Sequence, residues 1–325
     1  MTEPAIDVVG IGNAIVDVIS HAEDSFLEQN NLPKGSMTLI DDDQARRLYQ
    51  AMGPGVEMSG GSAANTIAGI ASFGGDAAFI GKVRDDQLGE VFSHDIRSMG
   101  VTFDTSPADE GASTARCLIL VTPDAQRTMN TFLGACIDLG PDDVDPSLIA
   151  SAKVTYLEGY LWDPPWAKDA FRKAVEIAHD AGRKVALTLS DSFCVDRYRA
   201  EFRDLVSGGV DIVFANEAEL LSLYEVDDFD EGLQAIRGHC EVAALTRSEK
   251  GSVIISGDEV HVIDPAPVTR VVDTTGAGDL YAAGFLHGYT NGKDLATCGH
   301  IASLSASEII GHFGARPDVP LRTLL

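Results

Sequence analysis

The chain has 325 residues, 45% of them hydrophobic and 23% charged, with a formal net charge of −26. Those proportions belong to a folded globular protein, the length allows one large core with a small appendage, and the acidic excess excludes a protein that coats nucleic acid or anionic lipid through clustered Lys and Arg. No run of 18 apolar residues occurs, the N-terminus lacks a basic segment followed by an apolar one, and the five cysteines are scattered without metal-ligand spacing, so reduced core thiols in a cytoplasmic protein are expected.

In chain order, Ile6–Ile11 reads as an apolar strand, and AIVDVIS, which opens residues 14–40, as a second extended run before the chain turns polar. GIGNAIVD at 10–17 begins like a dinucleotide fingerprint, but Ile15 stands at the third glycine position and no helical period follows, which argues against a Rossmann cofactor site. Helices are predicted over 42–52, 62–73 and 86–99, with a strand at Ala77–Ile80; Gly81-Lys82 is followed by Val83, so there is no Walker P-loop. Residues 105–135 contain ARCLILVTPDAQRTMNTFL, a strand at Cys117–Val121 and a second extended run around a Pro123-Asp124 turn, which is a hairpin pattern.

Further strands at Val154–Leu157, Val185–Leu187, Ile212–Phe214, Val242–Leu245 and Ser252–Ile255 alternate with helices over 167–181, 198–206, 216–223 and 230–238. The alternation predicts the α/β class, a parallel sheet covered by helices on both faces. The hairpin and residues 14–40 break the rhythm and predict a small β-sheet beside the main one, placed to act as a lid.

Two glycine stretches carry the chemistry. In DTTGAGDLYAAG at 273–284, Gly276, Ala277 and Gly278 leave successive N–H groups bare at the positive end of a helix that begins near Asp279, a concavity suited to an oxyanion or phosphate. Taken alone, Asp279 after a glycine turn is an N-cap. In MSGGSAANTIAGIASFGG at 58–75, Gly60-Gly61 again precedes a helix, whose small residues suit close packing and whose Asn65 stands where it can hydrogen-bond a hydroxyl-bearing ligand.

SGGSAANT, FANEAEL, ALTRSEKG and VVDTTGAGDLYAAGF, in this order, resemble the ribokinase or PfkB carbohydrate kinase family, and the resemblance spans nearly the whole chain. It implies a ribokinase-like three-layer sandwich with a parallel central sheet. Residues 1–13, 41–104 and 136–325 would form the nucleotide- and substrate-binding core, and 14–40 and 105–135 the β lid. It implies transfer of a phosphoryl group from ATP to a primary hydroxyl, with Asp279 as the catalytic base and Gly276, Ala277 and Gly278 as the anion hole. Asn216 and Glu219 match the motif that orders Mg²⁺ and its waters, Glu219 acting through water; by itself this pair is a helix cap. Thr246 and Gly251 match nucleotide contacts, and Asp273 and Thr275 the start of a monovalent-cation loop, hence K⁺. Asp17 matches the residue that binds two sugar hydroxyls, with Gly61 and Asn65 beside it.

Within the family, GIGNAIVDV, SGGSAANT, TLSDSFCVDRYR and VDIVFANEAE resemble the adenosine kinases. That resemblance implies the 5′-hydroxyl of adenosine as acceptor, Asn13 as a further nucleoside contact, and an aromatic slot for the purine with Phe132, Trp162 and Phe193 as candidates. A ribose, fructose or ketodeoxygluconate kinase shares the same catalytic groups and stays open as the acceptor class. A binding protein of the same fold is disfavoured by intact Asp279, Asn216 and Glu219. The expected partners are ATP and a small nucleoside or sugar, without nucleic acid or membrane, and a monomer is favoured slightly over a lid-paired dimer.

Overall fold

The computed structural model describes residues 4–124 and 126–325. Its regular elements are β1 (Ile6–Ile11), β2 (Ile15–His21), α1 (Asp24–Gln29), β3 (Met37–Leu39), α2 (Asp42–Ala51), β4 (Gly55–Gly60), α3 (Ser62–Phe73), β5 (Ala77–Ile80), α4 (Gln87–Ser98), β6 (Ala115–Val121), β7 (Arg127–Phe132), α5 (Pro146–Ser151), β8 (Ala152–Glu158), α6 (Pro165–Asp180), β9 (Lys184–Thr188) and α7 (Ser192–Gly208). There follow β10 (Ile212–Asn216), α8 (Glu217–Tyr224), α9 (Phe229–Ile236), β11 (Val242–Thr246), β12 (Ser252–Ser256), β13 (Glu259–Ile263), α10 (Ala277–Thr290) and α11 (Leu295–Ile309).

Eight strands form the main sheet in the order β13-β12-β11-β10-β9-β8-β1-β5. The pairings from β5 to β11 are parallel, and β12 and β13 add an antiparallel edge. The strands are apolar on both sides because both faces are covered. Val8, Val154, Tyr156, Ile212, Phe214 and Ala244 pack toward α3, α10 and α11. Val9, Ile11, Leu157, Leu187, Val213 and Leu245 pack on the opposite face toward α6 to α9. The α/β expectation holds.

A second sheet has the order β3-β7-β6-β2-β4, and the β6–β7 hairpin is present, from Arg116↔Phe132 to Val121↔Arg127. Alternation gives this sheet two faces. Val16, Val18, Leu118 and Leu120 enter the main core with Leu27, Leu48 and Phe92. On the other face Cys117, Ile119 and Val121 cluster with Ile15, Ile19 and Met129. Residues 14–40 and 105–135 supply β2, β3, β6 and β7, whereas β4 comes from the range expected in the core. Its sequence GVEMSG, with glycine at both ends, has no apolar run to announce a strand; its order comes from antiparallel pairing with β2, from Ile15↔Gly60 to Ser20↔Gly55.

Further elements depart from expectation. The helix expected over 198–206 starts at Ser192, and Tyr198 sits at a kink (φ −126°, ψ 28°) that hides its first turns from a periodicity count. Strands β3 and β13 and helices α1, α5 and α11 were not predicted; α11 is rich in Ala, Ser and Gly because α10 approaches it closely, with Gly284 against Ser305, Ile301 and Ala302. No helix among the described residues is long and apolar enough to cross a membrane.

Candidate active site

The C-terminal ends of β1, β8, β10 and β11 deliver Asn13, Glu158, Asn216 and Thr246 to one edge of the main sheet, the edge where open α/β sheets bind ligands. The N-termini of α3, α8 and α10 open toward the same edge, and the cleft-facing side of the small sheet stands over it.

Helix α10 begins at Ala277, with Gly276 (φ 79°) at the N-cap and no side-chain cap. The N-cap reading of Asp279 therefore fails, because the carboxylate lies two residues into the helix and is held by α3 instead. Ser62 Oγ donates to Oδ1 at 2.6 Å, Asn65 Nδ2 to Oδ2 at 2.9 Å, and Thr66 Oγ1 to the Asp279 carbonyl at 3.1 Å. Burial raises the Asp279 carboxyl above its ordinary range, opposed by Ser62, Asn65 and the nearby Arg316. The first-turn amides of Gly278 and Asp279 have no intrahelical acceptor. Glycine is needed at position 276 because its φ is left-handed and a side chain there would also lie 2.9 Å from Ala315 Cβ.

Across the cleft, Asp17 lies on β2 with its carboxylate against Gly60. Burial pushes Asp17 up to about 6, against the pull of Arg316 and then Arg127, and the charge of Asp279 adds to the rise. Among the described residues nothing donates a hydrogen bond to this carboxylate, so its oxygens are free for ligand hydroxyls. Asn65 Oδ1 is likewise buried without a partner. Gly61 (φ 100°) carries the chain from β4 into α3 so close to Asn13 that any side chain would collide with the Asn13 carbonyl. Asn13 is oriented by a group the sequence reading missed, Glu158, which accepts Asn13 Nδ2 at 2.6 Å, Asn13 N at 3.3 Å and Ala63 N at 2.8 Å. Burial pushes Glu158 up to about 7 in spite of those donors.

Further along the same sheet edge, Asn216 caps α8 and forms a reciprocal box with Glu219: Asn216 Oδ1 accepts Glu219 N at 2.9 Å, while Glu219 accepts Asn216 N at 3.0 Å and Nδ2 at 2.6 Å. Burial pushes Glu219 up to about 7. Thr246 pairs with Asn216 across β10 and β11. Gly251 closes the turn between β11 and β12, accepting Arg247 N at 2.8 Å. Asp273 folds its own loop: Oδ1 accepts Thr275 N at 3.1 Å and Thr275 Oγ1 at 2.8 Å, and Oδ2 accepts Gly314 N at 3.0 Å. Arg127 from the small sheet reaches over to the same carboxylate at 2.9 Å, both side chains nearly buried, while its Nε and Nη2 are buried without partners.

Of the three aromatic candidates, Trp162 is corrected. It is 3% exposed, packs on Phe171 and Phe202, and donates Nε1 to Glu201 at 3.0 Å, so it belongs to the core. Phe132 ends β7 under the Arg116 guanidinium, and exposed Phe193 opens α7 under that of Arg197. Ser62, Glu158, Arg127 and Arg316 were missed. Only Glu158 had a local signal, a carboxylate closing the apolar run VTYLE.

The profile of the pfkB family carbohydrate kinases matches residues 43–322, and the chain belongs to that family. It is therefore a kinase, a phosphotransferase with an alcohol acceptor. Its fold is shared with the solved adenosine kinase from Sinorhizobium meliloti, which is 57% identical with 98% of each chain covered and a TM-score of 0.91. It is 53% identical to a solved probable sugar kinase protein from Rhizobium etli CFN 42, covering 99% of this chain and 98% of that one at a TM-score of 0.92. The adenosine kinase of Saccharomyces cerevisiae is 26% identical over 336 residues, 95% of this chain and 96% of that protein.

Proposed function

We propose that the chain transfers the γ-phosphoryl group of ATP to the 5′-hydroxyl of adenosine, giving AMP and ADP. The observation that carries this reading is Asp17, a carboxylate without a protein hydrogen-bond donor set among Ile15, Ile19, Cys117, Ile119 and Met129, with Asp279 near enough to raise its pKa. A cis-diol satisfies the two carboxylate oxygens, and a flat apolar base suits the aliphatic face around them; a free sugar, hydroxylated all round, would leave polar groups against it. The identity to an adenosine kinase supports the same acceptor.

With the ribose hydroxyls on Asp17, the 5′-hydroxyl donates to Asp279. The proton passes to that carboxylate as the oxygen bonds to the γ-phosphorus and the bond to the β-phosphate oxygen breaks. The amides opening α10 and the free N–H groups of Arg127 would stabilise charge on the phosphoryl oxygens. When bound, Mg²⁺ neutralises the phosphates. Asn216 and Glu219 fit a role toward its waters, since the cap bonds of Glu219 leave lone pairs free, and Thr246 and Gly251 flank the nucleotide. A K⁺ ion at Asp273 and Thr275 would share the carboxylate with Arg127.

The small sheet, residues 14–40 and 105–135 joined by β4, acts as a lid that excludes water from the activated hydroxyl, with Arg127–Asp273 as its clasp. One chain carries every group used, so the monomer suffices, and its five free cysteines suit a cytoplasmic setting. The test is ADP release with ATP and Mg²⁺ on adenosine, inosine, ribose and fructose at matched concentrations, with 5′-deoxyadenosine as a non-reacting competitor. Turnover on adenosine and inhibition by 5′-deoxyadenosine are expected; turnover on a free sugar in preference to adenosine would overturn the acceptor and favour the sugar-kinase reading.

A further inference from the structure

The C-terminal segment after α11 is tied down on both sides of Arg316. Glu308 Oε1 accepts His312 Nε2 at 3.1 Å and Asp318 N at 3.0 Å, Gly314 N donates to Asp273, and Ala315 rests on Gly276. Arg316 is thereby delivered beneath the helix that holds Asp279. Its Nη1 donates to Ala64 O at 2.6 Å; Nη2 donates to Ser59 O at 3.1 Å and Ser59 Oγ at 3.0 Å, and Nε to Ser59 O at 3.3 Å. Ser59 belongs to the small sheet and Ala64 to α3, so one guanidinium spans the Gly60-Gly61 turn between them. All of its hydrogen-bond acceptors are neutral, and among the described residues it makes no carboxylate pair.

We infer that Arg316 is a positioning residue for phosphoryl transfer: it fixes the β4-to-α3 turn and supplies the unpaired positive charge beneath Asp279 and Asp17. The inference rests on Asp279 acting as the base. A group needed only to hold two carbonyls and a hydroxyl has no need of a charge withdrawn from water, which is costly unless other charges answer it. The answering charges are Asp95 on α4, Asp17 on β2 and Asp279 on α10. Burial pushes Arg316 down to about 10, so it stays a cation at neutral pH. The other groups that face the two carboxylates are Arg127 from β7, Cys117 from β6 beside Asp17, Tyr156 and Glu158 from β8, and Tyr160 just beyond it. Arg127 acts on Asp17, whereas Asp279 has Arg316 as its cation.

The experiment is the pH dependence of kcat and kcat/KM with adenosine and ATP-Mg²⁺ for wild type, Arg316→Met, Arg316→Gln and Arg316→Lys. Losing the charge should move the acidic limb of both profiles to higher pH, with activity recovering on the alkaline side, since an opposite charge favours the ionised carboxylate and its removal raises the aspartate. Arg316→Lys should leave the limb near its wild-type position and raise the acceptor KM, because the fork on Ser59 is lost. A loss by the same factor at every pH in Arg316→Met, with the limb unmoved, would overturn the inference. If that variant does not fold, Arg316→Gln, which keeps a donor for the turn, is judged by the same criterion. Asp279→Asn separates the two assignments: wild-type turnover there would remove the base and this inference with it, whereas an inactive Asp279→Asn with an unmoved Arg316→Met limb overturns Arg316 alone.

Discussion

Glu158→Gln perturbs the acceptor end of the cleft without changing its volume. The wild-type carboxylate receives Asn13 N at 3.3 Å and Ala63 N at 2.8 Å on one oxygen and Asn13 Nδ2 at 2.6 Å on the other. Glutamine can keep its oxygen on the two backbone amides, but its NH₂ then faces Asn13 Nδ2, donor against donor. Turning the Asn13 amide over relieves the conflict and presents Nδ2 to the cleft in place of Oδ1. An acceptor hydroxyl that donated to Oδ1 loses its partner, at about 1–3 kcal/mol for an unmade buried hydrogen bond. That corresponds to a rise in the adenosine KM of roughly 5- to 150-fold. The assay is ADP release against adenosine concentration at about pH 8, above the value near 7 to which Glu158 is pushed, so that the wild-type group is ionised. The KM for ATP should not move. An unchanged adenosine KM, or a loss confined to kcat, would refute the view that Glu158 works through Asn13.

Arg127→Met removes the clasp between the small sheet and Asp273 while keeping the stem. Asp273 retains its Thr275 and Gly314 donors, so the stability loss in a denaturant titration should fall short of the roughly 3–5 kcal/mol of an uncompensated buried charge. The kcat/KM for ATP should fall more than about tenfold, as when a charge-assisted contact to phosphate is lost; an unaltered value would place Arg127 outside the phosphate site. A second outcome concerns pH. Burial holds Glu158 and Glu219 near 7, up from 4.5, and Asp17 near 6, up from 3.8. Carboxyls raised on folding favour the native state while protonated, so their contribution is complete below the unfolded values and disappears as pH climbs through about 6 to 7. The urea midpoint of the ligand-free protein should therefore fall between about pH 5 and pH 8, and less so in Glu158→Gln. A midpoint that rises over this range in both proteins would contradict the assignment.

What the sequence disclosed follows a physical division. Gly276, Ala277, Gly278, Asp279, Gly61 and Asn65 were legible because backbone exposure and a helix start are local properties, set by residues that are neighbours in the chain. Asn216 and Glu219 were legible for the same reason, although their visible geometry is that of a helix cap. Arg127, Glu158 and Arg316 were not, because each acts on a partner far away in sequence, as Arg127 does on Asp273 and Arg316 on Ser59 and Ala64. The same holds for the fold. The buried strands of the main sheet announce themselves by continuous apolar runs, but β4 has order only through β2, and α11 is made of small residues selected by the approach of α10. Trp162 misled for the converse reason: its size suits a base slot and a core equally, and Phe171 and Phe202 claim it for the core.

The most direct test of the central claim is the turnover of Asp279→Asn with adenosine and ATP-Mg²⁺. The substitution can keep both α3 contacts, its oxygen accepting from Asn65 Nδ2 and its NH₂ donating to a rotated Ser62 hydroxyl, so binding and fold should survive. With the base gone, kcat should fall by about 10²- to 10⁴-fold while both KM values stay close to wild type. Turnover close to wild type would mean that another group takes the proton, and the account of this site would be wrong.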